Sequence, residues 1–159
     1  MKYKTGLNTD ILPFNPSGSC EAGGIYFARE DILAFLVWGP WIRQVTIPPG
    51  ERVYEDPMYD PKKYKAHRVI LGKRRKITPK IIKELIKEGA NPKADESEAL
   101  RWAAENGHLE VVKELIPVSD PKDCESEALR WAARNGHLEV VKELIPVSDP
   151  DVVKELGLA

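Results

Sequence analysis

The densest chemistry in this chain is cationic. Lys62, Lys63, Lys65, His67, Arg68, Lys73, Arg74, Arg75 and Lys76 place nine basic side chains within 15 residues, with Tyr59 and Tyr64 among them. Cations at that density give a phosphate affinity that weakens steeply with salt, and tyrosine rings are surfaces on which bases stack. The plainer reading is a solvated connector, and it is preferred, so nucleic acid stands only as an alternative partner. His108 and His137 each follow a glycine at equivalent positions. Imidazole is a common metal ligand, but no Cys or carboxylate stands beside them at ligand spacing, so no metal is expected. Cys20 and Cys124 are far apart and read as free thiols of a reducing compartment. No phosphate-binding loop, nucleophile elbow, HExxH motif or carboxylate pair is present, so neither an enzyme nor a cofactor is expected.

Side chains act where elements hold them, and the strongest element signal is a repeat. Glu96 to Pro121 recurs as Glu125 to Pro150, and the 26 aligned positions differ once, Glu105 against Arg134. Trp102 to Trp131 sets a period of 29 residues, in the range of stacked repeat arrays. Each copy reads as two helices. In the first copy Ser97 is placed as an N-cap, followed by the apolar stripe Ala99, Leu100, Trp102, Ala103 and Ala104. Asn106-Gly107 breaks that helix. Leu109, Val112, Leu115 and Ile116 then mark a second helix, ended before Pro117. Thr78-Pro79 and Ser148-Asp149-Pro150 read as helix starts that flank the copies, the last helix running from Asp151 to about Leu156.

These residues resemble the ankyrin repeat. Gly107 to Lys113 and Gly136 to Lys142, both GHLEVVK, are similar to that family's second helix, and Ile81 to Pro92 is similar to another with its following loop. The resemblance covers residues 77–159: a half repeat at 77–93, full repeats at 96–121 and 125–150, and a cap helix at 150–157. It implies a binding module for proteins. Two departures matter. The period is shorter than the family's usual one, which implies short or absent projecting hairpins. The family's T-P-L-H tetrad is Glu98-Ala99-Leu100-Arg101 and Glu127-Ala128-Leu129-Arg130 here, so its Thr–His hydrogen bond cannot form.

Residues 1–76 read as a small α+β domain. Strands are expected at Gly23–Ala28, Trp41–Pro48, Arg52–Tyr54 and Ala66–Leu71, with a helix at Glu30–Trp38. This order is similar to the N-terminal segment of ankyrin-repeat proteins of giant DNA viruses and tailed bacteriophages. That likeness implies a viral protein in the cytoplasm of an infected host and no activity of its own. GIYFA also resembles the ADP-ribosyltransferase strand whose tyrosine stacks on nicotinamide, a role that would fall to Tyr26. The motif's other parts are missing, with Glu55 the one loose candidate for its acid, so a degenerate nucleotide or small-molecule site is a further alternative.

Residues 1–76 carry 13 Lys/Arg against 8 Asp/Glu, and residues 77–159 carry 11 against 17. That asymmetry places a boundary near Ile77 and favours attraction between the halves. No apolar run approaches the ~20 residues of a membrane span, so no membrane partner is expected. The fold class is thus an α+β unit followed by a short all-α solenoid, expected to bind a protein. The expected partner surface is the exposed side of the first helices: Glu98, Arg101, Glu105, Glu127, Arg130 and Arg134. Trp102 and Trp131 are expected to stack in the core. Arg134 is expected either to relieve a Glu-over-Glu clash by pairing with Glu105, worth at most ~1 kcal/mol, or to touch the partner.

Overall fold

Ala66 to Leu71 reads as one strand but folds as parts of two, β6 (Tyr64–Ala66) and β7 (Arg68–Leu71), parted at His67. The computed structural model describes residues 3–17, 20–57 and 60–159. It divides into one unit of Met1–Asp31 with Gly39–Ile77 and another of Ile32–Trp38 with Thr78–Ala159. In the first unit β6 lies between β2 (Ile25–Phe27) and β5 (Val53–Glu55), and β7 lies between β1 (Gly6–Thr9) and β4 (Val45–Thr46). All these pairings are antiparallel. Ile25, Ala66, Val69 and Leu71 form the core, with Phe27, Val45 and Ile47 against it.

The expected strand from Trp41 to Pro48 is also two. β3 (Trp41–Ile42) pairs with β8 (Arg75–Lys76), while β4 pairs with β7. Every residue of β6 is buried, although two of its three side chains carry polar atoms. Register explains how Lys65 is tolerated there. Its cross-strand neighbours are Tyr26 and Tyr54, and its ammonium lies 5.2 and 5.4 Å from their ring centroids. The ammonium also donates to the Ser17 carbonyl at 3.1 Å. Gly24 makes room for the stem, since a Cβ there would come within 3.0 Å of Lys65 Cδ.

The second unit is helical: α1 (Pro79–Lys87), α2 (Ala94–Glu105), α3 (Leu109–Leu115), α4 (Asp123–Arg134), α5 (Leu138–Leu144) and α6 (Pro150–Glu155). No strand occurs among the described residues from 78 to 159, so the connections between repeats are plain turns. Thr78 and Asp149 cap α1 and α6, each followed by proline. The helix expected at Glu30–Trp38 is a tighter 3-10 helix, Ile32–Trp38, and groups with this unit instead of the sheets. It buries Leu33, Ala34 and Leu36 and packs on α2. Along the array Ala99, Leu100, Ala103, Val112 and Leu115 of one repeat, and Ala128, Leu129, Ala132, Val141 and Leu144 of the next, are buried. These matching positions are the apolar stripes that the 3.6-residue helical period requires.

Candidate partner-binding surface

α2 and α4 open with the same unusual turn. Asp95, Glu96 and Ser97 have φ of 53, 52 and 59°, and Cys124, Glu125 and Ser126 have 50, 55 and 57°. Left-handed backbone at non-glycine residues costs about 1 kcal/mol each, so something must hold it. The buried serine that ends each turn is one such hold. Ser97 Oγ accepts from the Asp120 backbone N–H at 3.0 Å and donates to Asp123 Oδ2 at 2.6 Å. One period later, Ser126 Oγ accepts from the Asp149 N–H at 2.8 Å. Ser97 therefore joins its repeat to the next one and does not cap its own helix. Asn91, Asp120 and Asp149 each turn a side-chain oxygen onto the N–H two residues on, at 3.0, 3.0 and 3.2 Å. This joint escaped the sequence reading, which began each copy at Glu96 and Glu125. The signal was there in Asn91-Pro92, Asp120-Pro121 and Asp149-Pro150, spaced by the same period.

At the other end of the first helices, His137 Nε2 and Asn135 Nδ2 meet the Glu105 carbonyl at 2.9 and 3.2 Å. A Cβ on Gly107 would meet His137 Nδ1 at 2.6 Å, so only glycine fits under that ring. The histidine of the second repeat thus holds backbone of the first.

Four of the six residues expected to face a partner are tied into the array itself. Arg101 lies between Glu98, with which it forms a short ion pair, and Glu127 at 2.6 Å, and it also donates to the Asp95 carbonyl at 3.0 Å. Arg130 grips both carboxylate oxygens of Glu155 at 2.8 Å. The Arg101 hydrogen bond holds the Glu127 carboxyl below its ordinary range, whereas burial pushes Glu98 upward. Glu105 and Arg134 remain exposed. The expected pair between them is corrected: among the described residues no ion pair joins them, and the Arg134 guanidinium lies 5.1 Å over the Trp131 ring. The expected stacking of Trp102 and Trp131 is also corrected. Trp102 packs on His108, at 5.0 Å between rings, and both indoles are half-buried.

Part of the basic run lies inside the sheet unit. Lys63 and Lys65 are buried, which removes them from any exposed patch. Lys62 pairs with Glu55 at 3.8 Å, Arg68 with Glu51 at 2.6 Å, and Arg74 lies 4.3 Å over Trp41. Lys73, Arg75 and Lys76 are exposed. Tyr59 lies outside the described residues. Tyr26 donates its hydroxyl to the Glu21 carbonyl at 3.1 Å, and its ring faces the ammonium groups of Lys63 and Lys65 at 5.0 and 5.2 Å. The ring that would receive nicotinamide is thus already engaged by cations.

The model of ankyrin repeats matches residues 73–155 as three copies. The chain is an ankyrin-repeat protein. One relative, named as an ankyrin repeat protein of Acanthamoeba polyphaga mimivirus, is 41% identical over 118 residues, covering 70% of this chain and 38% of the relative. A second so named, from the same virus, is 35% identical over 119 residues, covering 70% and 57%. A third mimivirus protein, named only as uncharacterized, is 33% identical over 119 residues, covering 72% and 86%. The chain therefore spans well under two thirds of the first two. With 70% of the chain aligned, the likeness must reach back beyond residue 73 into the sheet unit. No solved structure matches. Against the ankyrin pattern, the Thr and His places of the tetrad are held by Glu98 and Arg101, and the hydrogen bond those types would make is replaced by an ion pair. Arg101 extends it to Glu127, the Thr place of the next ankyrin repeat.

Proposed function

We propose that the array holds a protein partner along the exposed side of α2 and α4, with Arg134 at the centre of the contact. Ankyrin repeats are protein-interaction modules, and the relatives named above are viral, so a host factor in the cytoplasm of an infected cell is the partner that fits. The observation that carries the surface is the one disagreement between the copies. Packing must be served alike in both repeats, and Arg134 is exposed, makes no ion pair among the described residues and spreads over the half-buried Trp131. Arginine and tryptophan are enriched among the residues that carry most of the binding energy of protein interfaces. Glu98, Arg101, Glu127 and Arg130 frame the contact and hold its shape, and Glu105 adds charge beside it.

Affinity capture from host-cell extract with the full chain, read by mass spectrometry, tests this. Arg134→Glu should remove at least tenfold of a captured protein while leaving the melting temperature within a degree or two. Retention of every captured protein by Arg134→Glu and by Arg134→Ala would sink the proposed surface. Nuclease-sensitive, salt-sensitive capture through residues 62–76 would favour nucleic acid instead.

A further inference from the structure

The two cysteines sit in opposite electrostatic company. Cys124 Sγ donates to the Glu96 carboxylate at 2.7 Å, and that hydrogen bond, with burial, pushes its thiol up to about 11. Cys20 is exposed and lies against a cation: Lys63 Nζ is 2.5 Å from its sulfur. The separation is shorter than even the ~2.7–3.2 Å of a hydrogen bond between nitrogen and oxygen, although sulfur is the larger atom. Elsewhere in the chain an arginine N–H meets sulfur at 3.6 Å, from Arg101 to Cys124. The contact is a very short hydrogen bond, and it holds the amine and the sulfur close enough for one bridging atom to join them.

Lys63 is not free to leave. It is 7% exposed, its ammonium is 3.5 Å from Asp56 Oδ2 and 5.0 Å from the Tyr26 ring, and its carbonyl accepts from the Asp56 N–H at 3.1 Å. A buried amine is thereby held against an accessible sulfur, and peroxide can reach the sulfur first. Exposure is one condition for oxidation of a thiol by peroxide, and Cys20 meets it.

We propose that Cys20 and Lys63 are a redox-modification site, in which hydrogen peroxide joins Sγ to Nζ through a single oxygen. The sulfur attacks one peroxide, an S–O bond forms as the O–O bond breaks, and water leaves a sulfenic acid. Lys63 gives its extra proton to Asp56. A second peroxide takes two electrons from Nζ as the sulfenic oxygen bonds to it, and two waters leave. In sum, one thiol, one ammonium and two peroxides give the S–O–N link, three waters and one proton. Sulfur and nitrogen are each oxidised by two electrons. Loss of the ammonium is matched by protonation of Asp56, so the buried site stays neutral. The link ties residue 20 to the residue that precedes β6.

The test is a peptide map of the full reduced chain after titration with hydrogen peroxide and alkylation of remaining thiols. The expected product joins the Cys20 and Lys63 peptides with a gain of one oxygen and a loss of two hydrogens, about 14 Da. Dithiothreitol should release it, and Cys124 should stay alkylatable throughout. Cys20→Ser should abolish the product and Cys124→Ser should not. Lys63→Arg should let Cys20 run on to sulfinic acid. If Lys63→Arg does not fold, the wild-type map decides alone. Cys20 found as sulfinic or sulfonic acid with Lys63 unmodified overturns the proposal, as does oxidation of Cys124 ahead of Cys20.

Discussion

The two repeats are a comparison built into the molecule, with nearly the same letters in different surroundings. Leu109 is half-buried, but its counterpart Leu138 is 68% exposed; Ala104 is buried, and Ala133 only partly. α5 lies against α3, and α6, which follows it, spans only Pro150–Glu155. Arg101 is divided between two glutamates, whereas Arg130 turns both terminal nitrogens to Glu155. Ser97 makes two hydrogen bonds across the joint, and for Ser126 only the one from Asp149 occurs, because Val152 occupies the place of Asp123. What differs is therefore the neighbour and not the residue. In an array of this kind a side chain's energy is set by the unit stacked on it.

Paired substitutions can break that view. The largest difference should come from the serines. Ser97→Ala leaves the Asp120 N–H and an Asp123 oxygen without partners and should cost about 1–3 kcal/mol in denaturant unfolding. Ser126→Ala strands only the Asp149 N–H and should cost less. Equal losses would mean that the joint to Asp123 contributes nothing. Next come the leucines. Leu109→Ala should cost about 1–2 kcal/mol, below the range for fully buried leucine, while Leu138→Ala should change stability little. The smallest effect is the pH dependence at Glu127. Its folded value is lowered, first by the Arg101 hydrogen bond. Its contribution is therefore complete above the unfolded value of about 4.3 and is lost as pH falls through the folded value. Glu127→Gln should melt slightly lower than wild type at pH 7, by less than about 1 kcal/mol, and the gap should close in acid. A gap that widened in acid would mean that the hydrogen bond does not favour the ionised carboxyl.

The array was largely legible because its apolar residues recur at helical spacing, and because Gly107 and Pro79 act locally. The sheet unit was less so. Residue 67 parts what reads as one strand, and nothing in AHRVIL alone tells that Ala66 and Arg68 belong to different sheets. Strand partners are distant in sequence, so β1 and β8 had no local signal strong enough to mark them. Buried Lys63 and Lys65 look like any other lysines in a basic run; only the register beside Tyr26 and Tyr54 makes Lys65 an interior residue. On the candidate surface, the shared helix face was legible from spacing. That Arg101 and Arg130 reach into the following unit, and that Arg134 turns onto Trp131, depended on contacts between units that one copy cannot reveal.

The serine–aspartate joint gives the array a direction. Each unit carries the acceptor hydroxyl toward its successor and the donor N–H toward its predecessor. A stretch of one period excised anywhere in the array and pasted in frame beside itself would bring both halves of the joint with it, and the new seam would close. Tandem duplication of such a stretch is then structurally silent. Length can drift by whole units while each seam stays intact, and the chain's near-identical copies are what a recent event of that kind would leave behind.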